Sequence, residues 1–244
     1  MRLGELSVLV APSGMGKSTF VRTLISEAVP QDIGVLVALS EEDTDTFHLP
    51  IAENFSKIFG GIDKANELLK KLFYVQLQEL EREKRNVTAF IQEIEKLIVS
   101  NDITFFVFDN FTTSFFNRIS VDAQAEAIEE MKLLAQRLGI VFLLVVHTAK
   151  GTDPYKGLIT GEDARGNATA TNIGTYNYVL TTFFRLDRPR TFVFVDKSRH
   201  HDKAHRQYYE VEYCPEMKIF HKDRRANVFD VFYCMRESNQ KGRK

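Results

Sequence analysis

The segment Ala11–Thr19 has the sequence APSGMGKST, which contains the residue types of a phosphate-binding loop. Gly14 and Gly16 allow the backbone to curl until successive N–H groups face one centre, and a following helix N-terminus adds partial positive charge there. In such a loop Lys17 contacts the β- and γ-phosphates, and the Ser18 hydroxyl binds magnesium. The residues expected to hold a nucleoside triphosphate are Ser13, Gly14, Met15, Gly16, Lys17, Ser18 and Thr19.

The loop departs from the usual pattern at one position, because Ala11 replaces the first glycine. This change affects only the tight turn at the start of the loop. A purely structural turn is the alternative interpretation. An apolar strand before the loop and an amphipathic helix after it favour nucleotide binding.

Acidic residues follow two other predicted strands. Asp109 ends the apolar run Thr104–Asp109, where a carboxylate can bind magnesium at the carboxyl edge of a parallel sheet. Gly34–Leu39 is followed by Ser40-Glu41-Glu42-Asp43. Glu41 is the expected catalytic base that activates water, with Glu42 as the alternative. An acidic loop that only caps the next helix would have a similar sequence.

A histidine lies at the end of a further predicted strand, Ile140–His147. A polar residue at that position can contact a γ-phosphate and transmit its loss to the following loop. The alternative is a strand-end histidine with a structural role only. The order of the other motifs supports the sensor interpretation, and both interpretations remain open at this point.

Apolar runs and helical periodicity alternate along most of the chain, which predicts an α/β fold with a mainly parallel sheet flanked by helices. Strands are predicted at Leu6–Ala11, Gly34–Leu39, Phe73–Leu77, Thr104–Asp109, Ile140–His147, Val179–Leu186, Thr191–Val195 and Gln207–Tyr213. Helices are predicted at Ser18–Ala28, Thr44–Phe59, Asp63–Lys71, Val87–Ser100 and Val121–Leu138. The strands after Tyr178 follow one another through short turns and predict an antiparallel C-terminal extension. We expect one domain over residues 1–221 and a basic tail over 222–244 with an aromatic cluster that forms an interface helix or frays.

Composition excludes several classes of protein. The 32 basic and 33 acidic residues give a net charge of −1, which argues against a general polyanion-binding protein. Apolar residues make up 44% of the chain, as in globular proteins, and no apolar run is long enough to span a membrane. Two cysteines cannot form a disulfide framework, so a cytoplasmic location is expected.

The ordered motifs resemble the RecA-like ATPase domain of DnaB-family replicative helicases, and most of all the helicase half of phage primase–helicases. The resemblance covers about Gly4 to His221 and is carried by the following blocks: Gly4-Glu5-Leu6, Ser13–Arg22, Leu39–Glu42, Phe108-Asp109-Asn110, Val146-His147, Asp163–Gly166 and Lys197-Ser198-Arg199. It implies a RecA-like P-loop NTPase that hydrolyses ATP with Mg²⁺. It also implies a homo-oligomeric ring, expected to be a hexamer, that acts on single-stranded DNA. The ring is expected to work in the cytoplasm, which is that of the host cell if the protein is phage-encoded. Primase or other replication proteins are its expected partners.

The same resemblance assigns further residues. Glu41 corresponds to the family's catalytic glutamate and His147 to its γ-phosphate sensor. Lys197 and Arg199 correspond to the basic pair that reaches the ATP of a neighbouring subunit, and Tyr213 to the residue that stacks on adenine. Lys150, Lys156 and Arg165 lie in the loop expected to contact DNA.

The chain departs from this family at Gly166–Ala170, where a Gly-Ser-Gly stretch is usual. Coupling to DNA depends on that region, so two other functions remain open. One is a RecA- or KaiC-like recombination or regulatory ATPase that does not unwind DNA. The other is a nucleotide-binding adaptor that loads a helicase.

Overall fold

A computed structural model describes residues 1–79, 86–149, 151–153, 155–164, 169–185, 188–199, 207–226 and 229–234. The strands in these ranges are β1 (Glu5–Ala11), β2 (Val35–Leu39), β3 (Leu72–Gln76), β4 (Phe105–Asp109), β5 (Val141–His147), β6 (Tyr176–Arg185), β7 (Arg188–Ser198), β8 (Tyr208–Cys214) and β9 (Ile219–Ala226). They form one sheet in the order β3-β2-β4-β5-β1-β6-β7-β8-β9. Strands β1 to β6 pair in parallel and β6 to β9 pair antiparallel, so the predicted mixed sheet is confirmed.

The helices flank this sheet on both faces. Their bounds are α1 (Lys17–Ala28), α2 (Thr44–Phe59), α3 (Ile62–Leu69), α4 (Val87–Ser100), α5 (Val121–Leu138) and α6 (Thr169–Ile173). The side chains of Asp43, Asn86 and Ser120 accept hydrogen bonds from backbone N–H groups at the starts of α2, α4 and α5. These side-chain caps explain why three helix starts were predictable.

The parallel strands are apolar on consecutive positions because both of their faces are buried. Val8 and Val10 of β1 contribute to a core shared with α4 and α5. Leu9 and Ala11 contribute to a second core on the opposite face, shared with α1, α2 and α3. The sheet is therefore packed on both faces, and its carboxyl edge can position side chains from β1, β2, β4 and β5.

The C-terminal region contains more structure than the sequence predicted. Strand β9 continues to Ala226, beyond the boundary expected at residue 221, and residues 229–234 are helical. Val231 and Cys234 of this helix are buried against the sheet, whereas Phe229 is exposed. The charged sequence of β9 is typical of an edge strand, and this charge obscured the apolar pattern.

Within the ranges above, no helix has the length and apolar character needed to cross a membrane.

Candidate active site

The phosphate-loop sequence forms the turn between β1 and α1. Gly14 and Gly16 have φ angles of 76° and 87°, which lie in the left-handed region that favours glycine. A Cβ atom on Gly16 would lie 3.0 Å from the Phe220 ring of β9. The backbone conformation and the close neighbour therefore both require glycine at this position.

The N-terminus of α1 is suited to bind an anion. Within the described part of the chain, no side chain caps its first turn. The first N–H groups of a helix have no acceptor within the helix, and they carry the positive end of the helix dipole. A phosphate group would supply the missing acceptors.

Lys17 is a buried cation at the same point. Its Nζ donates hydrogen bonds to the carbonyl oxygens of Ala11, at 3.3 Å, and Pro12, at 2.8 Å. Burial lowers its pKa to about 8, although the charges of Asp109 and Glu41 act in the opposite direction. An anion in the loop would relieve this desolvation cost, so Lys17 fits a phosphate ligand.

Asp109 ends β4 and is buried beside the loop. Its pKa is raised to about 7, mainly by burial and also by the charges of Glu42 and Glu41, whereas Lys17 and a hydrogen bond from Ser18 lower the pKa. The Ser18 hydroxyl and the Asp109 carboxylate therefore face each other. Mg²⁺ usually takes one or two protein oxygens and fills its other positions with water and phosphate oxygens, so this pair fits the ion.

The two candidate base residues have different surroundings. The Glu42 carboxylate forms an ion pair with Arg22 of α1 at 2.9 Å. The Glu41 carboxylate instead lies 3.8 Å from Nε2 of His147. Because Glu42 is turned toward α1, the geometry favours Glu41 over Glu42 as the residue that faces a terminal phosphate.

His147 is oriented by a residue that the sequence motifs did not single out as functional. Asn110 Oδ1 accepts the backbone N–H of Thr113 at 3.0 Å, which directs its amide nitrogen toward His147 Nε2 at 3.1 Å. An amide nitrogen can only donate, so Nε2 is the acceptor of that bond. Thr112 Oγ1 also accepts the His147 backbone N–H at 2.9 Å. The signal in the sequence was the place of Asn110 in the block Phe108-Asp109-Asn110, which assigned it no role of its own.

The predicted trans-acting pair lies at the opposite edge of the sheet from the loop. The backbone of Arg199 bonds to Thr175, which in turn bonds to Leu6 at the start of β1. A strand rises about 3.3 Å per residue, so Leu6, and with it the backbone of Arg199, lies roughly 16 Å from Ala11 along the direction of β1. Lys197 Nζ and Arg199 Nη2 both donate to the carbonyl oxygen of Asn172, at 2.7 and 2.8 Å.

Tyr213 lies at the same edge of the sheet as the phosphate loop. It is 45% exposed, and its ring meets that of Phe220 edge-on at a centroid distance of 6.0 Å. Phe220 also packs against Gly16. Tyr213 is thus one ring away from the loop, with an exposed face available for stacking.

The predicted DNA-contacting residues are only partly described. Lys156 is exposed and forms an ion pair with Asp153 at 3.7 Å. Lys150 and Arg165 lie outside the described residues. The structure brings together the phosphate loop, Glu41, Asp109 and His147. It keeps Lys197 and Arg199 apart from them.

Comparisons with known proteins agree with this fold. A family model described as an AAA domain matches residues 1–153, which include the phosphate loop and the three polar strand ends. A solved structure of an ATPase domain has a TM-score of 0.70 at 12% identity, over 92% of this chain and 86% of that chain. A KaiC-like protein from Pyrococcus horikoshii OT3 has a TM-score of 0.65 at 17% identity, over 90% of each chain. No curated protein matches the sequence.

The fold and the site define a RecA-like P-loop ATPase domain, and the resemblance to DnaB-family ATPase domains is confirmed at the level of the fold. The chain belongs to the AAA domain family, which implies that it binds a nucleotide.

Proposed function

We propose that this ATPase is the Mg²⁺-dependent motor of a ring-forming translocase on single-stranded DNA, and that it acts as a replicative DNA helicase in the cytoplasm. The observation that carries the proposal is the position of Lys197 and Arg199. These cations lie at the edge of the sheet remote from the subunit's own phosphate loop, held by a backbone carbonyl. A residue in that position can act on ATP only in a neighbouring subunit.

The proposed reaction is an in-line attack of water on the γ-phosphate. Lys17 and the N–H groups of the loop bind the phosphates, and Glu41 orients the water and accepts its proton. Ser18 and Asp109 would hold Mg²⁺, which neutralises the charge that develops on the phosphate oxygens. His147 would contact the terminal phosphate, and Tyr213 would stack on the base.

Arg199, with Lys197, would complete the site across a subunit interface. A guanidinium delivered in trans stabilises charge on the transferred phosphoryl group and makes hydrolysis depend on assembly. We propose a closed homo-oligomeric ring, expected to be a hexamer, in which each ATP lies between two subunits. Primase or other replication proteins are the proposed partners of this ring.

Contact with DNA is proposed at the loop that follows β5. Lys156 supports this assignment because its side chain is exposed there, and Lys150 and Arg165 belong to the same stretch of sequence. A few cations with flexible backbone can follow a phosphate backbone without reading bases. The DNA-binding proposal therefore predicts strong salt dependence and little sequence preference.

The test of the shared site uses two inactive variants, Lys17→Ala and Arg199→Ala. Each should lack ATP turnover alone, the first because it cannot hold ATP and the second because its neighbours lack the trans-acting cation. Mixed rings contain some interfaces with an intact loop facing an intact Arg199, so mixing should restore turnover. If the mixture stays inactive, or if Arg199→Ala alone turns over ATP normally, the shared site is excluded.

A second function is favoured by the Gly166–Ala170 departure. A regulatory or recombination ATPase, or a helicase-loading adaptor, would bind nucleotide without unwinding DNA. A forked DNA substrate separates the alternatives, because only the helicase displaces the annealed strand. A turnover rate unaffected by protein concentration or single-stranded DNA would favour the regulatory ATPase, and binding with little hydrolysis would favour the adaptor.

A further inference from the structure

An ion pair joins the helix after the phosphate loop to the segment that bears the two glutamates. Arg22 lies on α1, and its Nη1 contacts Glu42 Oε2 at 2.9 Å. The two side chains are only 13% and 33% exposed. The Arg22 guanidinium also lies over the Phe47 ring of α2, at 5.2 Å from its centroid. This pair is therefore better defined than an ordinary surface ion pair.

The rest of the segment 40–44 is also fixed. Ser40 donates its backbone N–H to the Asp109 carbonyl at 2.8 Å. Asp43 accepts the Thr46 N–H at 2.8 Å, and Gln76 donates to Thr44 Oγ1 at 2.9 Å. Glu41 differs from these residues, because its carboxylate is turned toward His147 at a looser 3.8 Å.

Charge makes the separation of the two glutamates necessary. Ser40 joins the segment to Asp109 through its backbone hydrogen bond, so the charge of Glu42 lies near the proposed metal site. If Glu42 were released, it would compete with Glu41 for the same space and add repulsion toward a triphosphate. Arg22 limits both effects, because it pairs with Glu42 and holds its carboxylate toward α1.

We propose that Arg22 is a positioning residue for the catalytic glutamate: by binding Glu42, it locks the segment 40–43 to the phosphate-binding helix and leaves Glu41 facing the terminal phosphate. Lys17, Ser18 and Arg22 all lie on α1, so the base is fixed to the same element that holds the substrate. The inference rests on the proposed role of Glu41.

The test measures ATP turnover and nucleotide affinity of the full chain carrying Glu42→Gln or Arg22→Lys. Misplacement of a catalytic group by about 1 Å costs on the order of 100-fold, so we expect kcat to fall about 10- to 100-fold while KM and the affinity for a fluorescent ADP analogue change less than about threefold. The reversed pair Arg22→Glu/Glu42→Arg should recover at least about tenfold over Arg22→Glu alone, since it restores the contact.

Glu95→Gln is the matched control. It removes another Arg–Glu ion pair between two elements, with Arg137, in a part of the molecule remote from the loop. Its turnover should equal that of the unmodified chain. Thermal unfolding of every variant identifies any loss of turnover that comes from misfolding.

Glu41→Gln separates failure of this inference from failure of the proposed mechanism. If Glu41→Gln keeps normal turnover, the proposed base is wrong. If Glu41→Gln is inactive but Glu42→Gln and Arg22→Lys turn over ATP normally, the mechanism stands and the positioning role of Arg22 is overturned. If both single variants lose kcat but the reversed pair recovers nothing, the contact itself is not responsible, which also overturns it.

Discussion

Replacing Asp109 with asparagine should stabilise the nucleotide-free protein while it abolishes function. The carboxylate is buried beside Lys17, and its pKa rises from 3.8 to about 7. A rise in pKa of this size means that ionisation of Asp109 destabilises the folded state by about 4 kcal/mol. This value already includes the attraction to Lys17, because that cation acts to lower the pKa.

The stability gained through Asp109→Asn should increase as pH rises. Below the unfolded pKa of 3.8 both states are protonated, and the carboxyl group does not affect the free energy of unfolding. Between that value and about 7 only the unfolded state is ionised, so the unmodified chain loses stability as pH rises. Asp109→Asn should therefore add about 4 kcal/mol at pH 8 but only about 2 kcal/mol at pH 5.

Urea unfolding without nucleotide or magnesium, followed by circular dichroism at both pH values, measures the difference. Glu130→Gln, on the exposed face of α5, is the control and should change stability at neither pH. Addition of Mg²⁺ and ATP should stabilise the unmodified chain but not Asp109→Asn. An equal gain at pH 5 and pH 8, or no gain at pH 8, would refute the assignment of a destabilising, buried carboxylate.

Three other substitutions test separate parts of the molecule. Glu41→Gln should lower ATP turnover by about 100-fold or more and leave nucleotide affinity nearly unchanged. Steady-state kinetics and equilibrium binding measure the two quantities. A parallel loss of affinity would argue against a role in the chemical step. Gly16→Ala should destabilise the fold by about 1–3 kcal/mol and weaken nucleotide binding, because the left-handed backbone and Phe220 both oppose a Cβ atom. Thermal unfolding measures the first effect and equilibrium binding the second. Unchanged stability and affinity would contradict the loop geometry. Val231→Ala should cost about 1–2 kcal/mol in urea unfolding because its side chain is fully buried; no change would mean that the C-terminal helix does not pack on the sheet.

The chemistry of the phosphate loop and the strand ends was predictable because it depends on local sequence. A buried parallel strand has a continuous apolar run, and the first polar residue after it must lie at the sheet edge. This reasoning placed Asp109, Glu41 and His147 at one edge, and the structure has them there. The choice between Glu41 and Glu42 was not local, because it depends on Arg22, twenty residues away in sequence.

The C-terminal region was harder to predict for a related reason. Strand β9 is an edge strand, and its run of charged residues, Lys222–Arg225, has the composition of a solvated tail. The helix at 229–234 buries Val231 and Cys234 but exposes Phe229, Phe232 and Tyr233, the reverse of the aromatic-in pattern that composition suggests. Its orientation is set by contacts such as Arg190 Nη1 to Cys234 Sγ at 3.1 Å, which join distant parts of the chain.

A crystal structure with Mg²⁺ and a non-hydrolysable ATP analogue tests the central claim most directly. Lys17 should exchange the carbonyl oxygens of Ala11 and Pro12 for phosphate oxygens. The metal should lie between Ser18 and Asp109, and the Glu41 carboxylate should face the γ-phosphate through one water. A triphosphate bound away from this loop, or a metal distant from both Glu41 and Asp109, would contradict the account.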